Sequence, residues 1–358
     1  MRRTPEALVL AALAMLAACG RADGVLDGSA AMAATDSVVL QEGEDAFIGS
    51  AGHLAAGPDG TVFVSDAMNA VVLRYGRDGQ VVGRYGGRGS GPGEMETPVA
   101  AAVAGDSLLV VSDWTSSRLH VFSLATGHPV ASVRHEGYPF TMALHGDTVI
   151  TGVVNAARGT ALAAWPLHSG EVRYFAPLPA PYRASKHLAL TMPYATAALL
   201  GDTILFGLAA DGDLFLARMD GTLLDTVRIP AVRRRGVPAD VVRRLAEDPD
   251  NAAIAAMLSV PVALHRLSDR RIAVLYQDLT VEGETLTAEP FLSILSPDLR
   301  TACADLPLPR AADGRPVAAF AGDTLLSLET RLRGGTRAEH VLTRYDLAAI
   351  RCEMRRVR

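Results

Sequence analysis

A tight turn followed by a β-prone apolar run recurs six times along the chain, and this repetition leaves few folds open. The copies are Pro58-Asp59-Gly60 before Thr61-Val62-Phe63-Val64, Gly105-Asp106 before Ser107-Leu108-Leu109-Val110, and Gly146-Asp147 before Thr148-Val149-Ile150. The others are Gly201-Asp202 before Thr203-Ile204-Leu205-Phe206, Ser268-Asp269-Arg270-Arg271 before Ile272-Ala273-Val274, and Gly322-Asp323 before Thr324-Leu325-Leu326. Glycine and aspartate accept the unusual backbone angles of tight hairpins, so each pair predicts a turn into a buried strand. Such self-similarity marks a fold in which each unit buries its faces on its neighbours.

The first copy reads as a four-stranded meander. Strand 54–56 leads through Asp59-Gly60 to strand 61–65, loop 66–70, strand 71–75, the Asp78-Gly79 turn and strand 80–85. The second copy repeats it with strands 99–103, 107–112, 118–123 and 129–133. Runs 36–40 and 46–48 are candidates for a strand that closes a ring with the last unit. Seven units, with a degenerate one after residue 229, and a two-domain arrangement are the alternatives. Pro238, Asp240 and the apolar residues after them read as a helix start, with a second short helix over 251–258. A smaller insertion over 181–198 holds Tyr182, Arg183, Lys186, His187, Met192 and Tyr194.

Three stretches carry a family likeness: Val64-Ser65-Asp66 with Asn69, Gly89-Ser90-Gly91-Pro92-Gly93-Glu94-Met95 before Pro98, and Val110-Val111-Ser112-Asp113 with Arg118. Over residues 50–125 the chain resembles the NHL-type propellers. That resemblance implies an all-β, six-bladed β-propeller of four-stranded antiparallel blades, here with a short helical insertion between blades 4 and 5.

The N-terminus has Arg2 and Arg3, an apolar run over 8–18, and then Cys19-Gly20. This is the pattern of a secretion signal whose apolar run is too short to span a bilayer. Leu16-Ala17-Ala18-Cys19 resembles a bacterial lipobox, which implies cleavage before Cys19 and acylation of that residue. Gly20 favours the outer membrane, facing the periplasm, over the inner one. The expected organisation is a signal peptide over 1–18, a flexible tether over 19–36 and the propeller over 37–358. The anchor is the only membrane contact expected. A formal net charge of −5 and the absence of a basic stripe with interleaved aromatics argue against nucleic-acid binding.

Cys303 and Cys352 remain beyond the lipobox. They fall at matching points of adjacent repeats, and an oxidising compartment permits a disulfide, with two buried thiols as the alternative.

In a four-stranded meander the loops after strands two and four emerge on one face. Asp66, Asn69, Asp113 and Trp114 lie in the first kind. Arg88, Glu94 and both insertions, with Arg183, His187, Arg233 and Arg234, lie in the second. Elaborated loops on a rigid scaffold are the usual place for binding. Each candidate also has a plain structural reading: the aspartates tie their own loops, Arg88 pairs with Glu94, and the arginines form a solvated face. The histidines are scattered, and no hydrolase elbow, dinucleotide fingerprint or P-loop occurs. The expected function is a non-enzymatic envelope module that binds a protein, peptide or glycan, with no cofactor. The alternative is a channel-mouth lyase or hydrolase, as in some NHL-like propellers, using an axial divalent metal.

Overall fold

The computed structural model describes residues 32–44, 46–137, 139–168, 170–229, 236–244, 258–282, 285–308, 317–333 and 337–357. The readings placed on the signal peptide, on Cys19, on Arg233 and Arg234, and on residues 251–257 lie outside them.

The described strands form six antiparallel sheets arranged as blades, as the six turns predict. Blade 1 is β2 (Ala51–Ala56), β3 (Val62–Asp66), β4 (Val71–Tyr75) and β5 (Val81–Gly86). Blade 2 is β6 (Pro98–Ala104), β7 (Leu108–Asp113), β8 (Arg118–Ser123) and β9 (Pro129–Arg134). Blade 3 is β10 (Ala143–His145), β11 (Thr148–Asn155), β12 (Thr160–Pro166) and β13 (Arg173–Pro177). Blade 4 is β14 (Ala195–Leu199), β15 (Thr203–Leu208), β16 (Leu214–Arg218) and β17 (Leu223–Val227). Blade 5 is β18 (Ser259–Arg266), β19 (Ile272–Glu282), β20 (Thr285–Leu295) and β21 (Thr301–Pro307). Blade 6 takes β22 (Val317–Ala321), β23 (Thr324–Arg333) and β24 (Arg337–Asp346) from the C-terminal part, and its outer strand, β1 (Ala34–Val39), from the N-terminal part. The N-terminal end therefore closes the ring. Gln41 N–H donates to the Gly79 carbonyl at 2.8 Å. Any Cβ on Gly79 would come within 2.3 Å of the Val39 carbonyl, so the glycine serves both its own turn and the seam.

The six turns from strand one to strand two each contain a residue in the left-handed region: Gly60, Gly105, Gly146, Gly201, Arg270 and Gly322. Five are glycine, which adopts this conformation at no steric cost. Blade 5 places an arginine there.

The core is divided among the seams rather than gathered at one centre. Six hydrophobic clusters join successive blades around the ring. Every residue of β3 is buried, whereas β5 alternates along its length. Middle strands are covered on both faces, so they read as continuous apolar runs, and outer strands are half solvated. Full burial of a Leu or Val contributes about 1.5–3 kcal/mol.

Two short helices, α1 (Ala180–Ala184) and α2 (Lys186–Thr191), lie between blades 3 and 4, and α3 (Ala239–Arg244) lies between blades 4 and 5. Tyr182, Leu188, Val241 and Val242 pack into the largest seam cluster. Cys303 and Cys352 are joined in a disulfide, with Cα atoms 6.0 Å apart. Cys352 does not sit on an outer strand of blade 6, because β1 occupies that place. The tail instead folds back, and β25 (Arg355–Arg356) pairs with β21 as a fifth strand of blade 5. Among the described residues no helix is long and apolar enough to cross a membrane.

Candidate functional site

The loops after strands two and four of each blade form one face of the ring, called here the loop face. The opposite, turn face holds the six turns from strand one to strand two. It also holds the start of β1, since Ala34 pairs with Tyr345 near the end of β24. The chain thus enters from the turn face, and the elaborated loops point the other way.

Two buried aspartates organise the loop face over blades 1 and 2. Asp66 accepts from the backbone N–H groups of Gly49 (2.7 Å), Ser50 (3.0 Å), Met68 (3.0 Å) and Asn69 (3.2 Å), and from Asn69 Nδ2 (2.7 Å). Asn69 also donates to the Phe47 carbonyl. Asp113 accepts from Glu96 N–H (2.9 Å), Thr97 N–H (2.8 Å) and Ser116 Oγ (2.7 Å). Burial raises the Asp113 carboxyl pKa, but these donors outweigh it and hold the carboxyl below its ordinary range. Both carboxylates therefore tie the loop that enters a blade to the turn within it.

The same join is made differently further round. In blade 3, Asn155 Nδ2 donates to Glu136 (3.0 Å), which also receives Arg158 at 2.8 and 3.1 Å. The Arg158 and Asn155 bonds bring the Glu136 carboxyl down to about 2. In blade 4, the Tyr182 hydroxyl donates to the Met192 carbonyl (2.9 Å) and accepts from Ala210 N–H (3.0 Å). In blade 5, Ser259 Oγ donates to the buried Asp278 (3.0 Å). Asp66, Asp113 and Asp278 stand opposite the first residues of their inner strands, Ala51, Pro98 and Ser259. Asp278 was not singled out from the sequence, although a polar residue ending an apolar run marks it as it marks the other two.

Arg88 and Glu94 do not pair with each other. The Glu94 carboxylate folds back to accept from Gly91 N–H (2.8 Å), and Arg88 Nη2 reaches the Met68 carbonyl (2.6 Å). Gly89 suits this turn by its backbone (φ 154°), which other residues rarely adopt, and a Cβ there would push the Glu94 carboxylate aside. Arg183 is exposed on α1, and His187 lies half-buried on α2 with its Nε2 unpartnered.

At the axis the character changes. A cavity of about 380 Å³ opens on the loop face, lined among others by Gly52, His53, Phe140, Met192, Tyr194 and Gln277. It shares His53, Thr141, Val262 and Ala318 with a second axial space of about 430 Å³, which is lined by the inner strands of all six blades. Alanine dominates that lower wall. Phe140 bridges Tyr194 (ring centroids 4.6 Å apart) and the partly exposed Trp114 (5.3 Å), so an aromatic ledge runs from rim to mouth. Phe47, Met68, Leu190 and Leu332 add exposed apolar side chains on the same face, Leu190 at 73% and Met68 at 60% exposure.

His53 and His265 both line the axis, but toward opposite ends: His53 opposes Ser65 near the loop-face end, and His265 opposes Ala273 near the turn end. Among the described residues no group of three His, Cys, Asp or Glu side chains is placed to hold a metal ion. The residues described at the axis do not fit a metal centre. His53, Phe140 and Gln277 escaped the sequence reading because only the ring closure brings them together.

No protein-family model matches the chain, and no curated protein matches it. Among solved structures, it is similar to a member of the DUF4221 family from Bacteroides vulgatus (TM-score 0.62, 9% identity, covering 91% of this chain and 98% of that one). It is also similar to a putative exported protein from Bacteroides fragilis (TM-score 0.59, 8% identity, 88% and 95% covered). A third likeness is the β-propeller domain of Cps50 (Swd1) from Myceliophteria thermophila (TM-score 0.50, 10% identity, 88% and 99% covered). At these identities the likeness is one of fold: a six-bladed β-propeller, distantly related to other propellers.

Proposed function

We propose that this protein is a non-catalytic, envelope-anchored interaction module of NHL-like type that docks a partner protein on its loop face. The observation that carries the reading is the convergence of exposed apolar side chains there. Phe47, Met68, Trp114, Leu190 and Leu332 share the face on which a mainly apolar mouth opens. Exposed Val82, Val130, Leu223 and Leu224 lie instead on outer strands, in different blades. Scattered surface residues of that kind are ordinary, whereas several exposed apolar side chains on one loop face suit a partner. The chain enters the ring from the turn face, so a tether from Cys19 would join the ring on the side opposite the loop face. The similarity to a putative exported protein agrees with an address outside the cytoplasm. Supporting the non-catalytic part, the two described axial histidines stand apart, and the Asp66 and Asp113 carboxylates are held chiefly by backbone amides.

The test is in-cell crosslinking of the lipidated protein in two triple variants. Phe47→Ser/Met68→Ser/Leu190→Ser should lose the crosslinked partner, while Val82→Ser/Val130→Ser/Leu224→Ser should keep it. Retention by the first variant, with correct localisation, overturns the proposal.

A further inference from the structure

The axial cavity lies beneath the docking rim, and its chemistry is separate from that of the rim. Its two connected spaces, of about 380 and 430 Å³, fall in the range of ~300–1,000 Å³ found for small-molecule sites. The lower space carries Arg266 at its turn-face end, but around the mouth the described lining contains no Asp, Glu, Lys or Arg. A charged ligand would leave water there without an opposite charge to meet it. The few polar groups are placed one by one among apolar walls. Ala101 N–H donates to His53 Nδ1 at 3.3 Å, so the neutral ring carries its proton on Nε2. Burial pushes the His53 pKa down to about 4, which keeps the ring neutral and its Nε2–H a fixed donor. Gln277 adds one amide, and the ring faces of Phe140 and Tyr194 supply an aromatic wall.

We propose that the axial cavity binds a small, uncharged, mainly apolar molecule, packed against Phe140 and Tyr194 and hydrogen-bonded through an acceptor group to His53 Nε2–H. This inference goes beyond the docking of a partner on the rim and stands or falls apart from it.

Gly52 offers a clean way to close the site. It lines the mouth, and a Cβ built on it meets nothing nearer than 3.8 Å, so the backbone accepts a side chain here and Gly52→Phe adds a ring at the mouth. The assay uses the full chain carrying Cys19→Ser, which keeps acyl chains out of it. The probes are N-phenyl-1-naphthylamine and its 8-sulfonate, which differ by one negative charge. The neutral probe should bind saturably at a single site, and the sulfonate should bind roughly tenfold more weakly or worse. Gly52→Phe should weaken the neutral probe by a similar factor, roughly tenfold. In competition, His53→Phe should weaken 1-acetylnaphthalene by about threefold to tenfold and leave 1-ethylnaphthalene nearly unchanged. Equal binding of the two naphthylamines, or no saturable binding of the neutral one, overturns the proposal on the unsubstituted chain alone. Undiminished binding to a folded Gly52→Phe chain overturns it too. Loss of probe binding in Gly52→Phe with partner crosslinking intact separates the cavity from the rim.

Discussion

Blades 1 and 2 and blades 3 and 4 solve one mechanical problem with different chemistry. Each must fasten the loop that enters a blade to the turn inside it. In the first pair a buried carboxylate collects several backbone N–H groups, and one glycine-rich segment supplies the loop. Between blades 3 and 4 a tyrosine hydroxyl makes two bonds, and two short helices fill the space with apolar side chains. The contrast shows that the join is demanded by the ring and is not tied to one residue type. A carboxylate serves where backbone donors crowd together, and a hydroxyl suffices where hydrophobic packing already holds the insertion in place.

The largest effect should come from the carboxylate side. Asp113→Ala leaves two buried amides and the Ser116 hydroxyl without their acceptor, at a cost of about 3–4 kcal/mol by urea unfolding. Gly152→Ala should cost about 2–3 kcal/mol. Its Cβ would lie 2.7 Å from the backbone of Ala195 and Thr196, atoms that cannot swing aside. Tyr182→Phe removes two hydrogen bonds but keeps the ring in its cluster, so about 1–2 kcal/mol is expected. If Tyr182→Phe costs as much as Asp113→Ala, the contrast between the two joins fails.

Acid separates the two regions as well. His120 lies 3.9 Å from Asp113, and His135 packs against Trp165 across the seam between blades 2 and 3. Burial holds both imidazoles below their ordinary pKa, against the pull of Asp113. The unfolded chain therefore binds more protons than the folded one just below pH ~6.5. Stability from this seam is complete above that pH and is lost progressively as the pH falls below it. Burial raises the Tyr182 pKa, so its hydroxyl keeps its proton and both hydrogen bonds in this window. Protection from hydrogen exchange, corrected for the intrinsic pH dependence of the amide rate, should thus fall more between pH 7 and pH 5 around residues 118–135 than around the Tyr182 join. The smallest effect is expected at the turn of blade 5. Arg270→Gly relieves a left-handed arginine and should stabilise by roughly 0.5 kcal/mol.

Much of this fold was legible because propeller strands are local. The Asp59-Gly60 and Gly105-Asp106 turns, and the apolar runs after them, report structure within a few residues. So did the closing strand near residues 36–40, although it starts at Ala34. The long β19–β20 and β23–β24 hairpins were not foreseen. Their strands continue past the apolar run into mixed residues such as Thr280 and Thr330, and the turn signals at Gly283 and Gly334-Gly335 went unread. The tail pairing of Arg355–Arg356 was hidden because Cys352 copies the spacing of Cys303 while lying outside any outer strand. Tyr182 was placed only within the 181–198 insertion, and the structure buries it. The site was less legible than the fold. His53, Phe140, Tyr194 and Gln277 come from four different blades or insertions, and only ring closure makes them neighbours.

The most direct test of the central claim is a photo-crosslinking scan of the lipidated protein in its own cells. A crosslinking amino acid would replace Trp114 or Leu190 on the loop face, and Asp78 or Asp220 on the turn face. The account predicts one shared adduct from both loop-face positions and none from the turn face. The same adduct from Asp78 or Asp220, or adducts from the turn face alone, would contradict it.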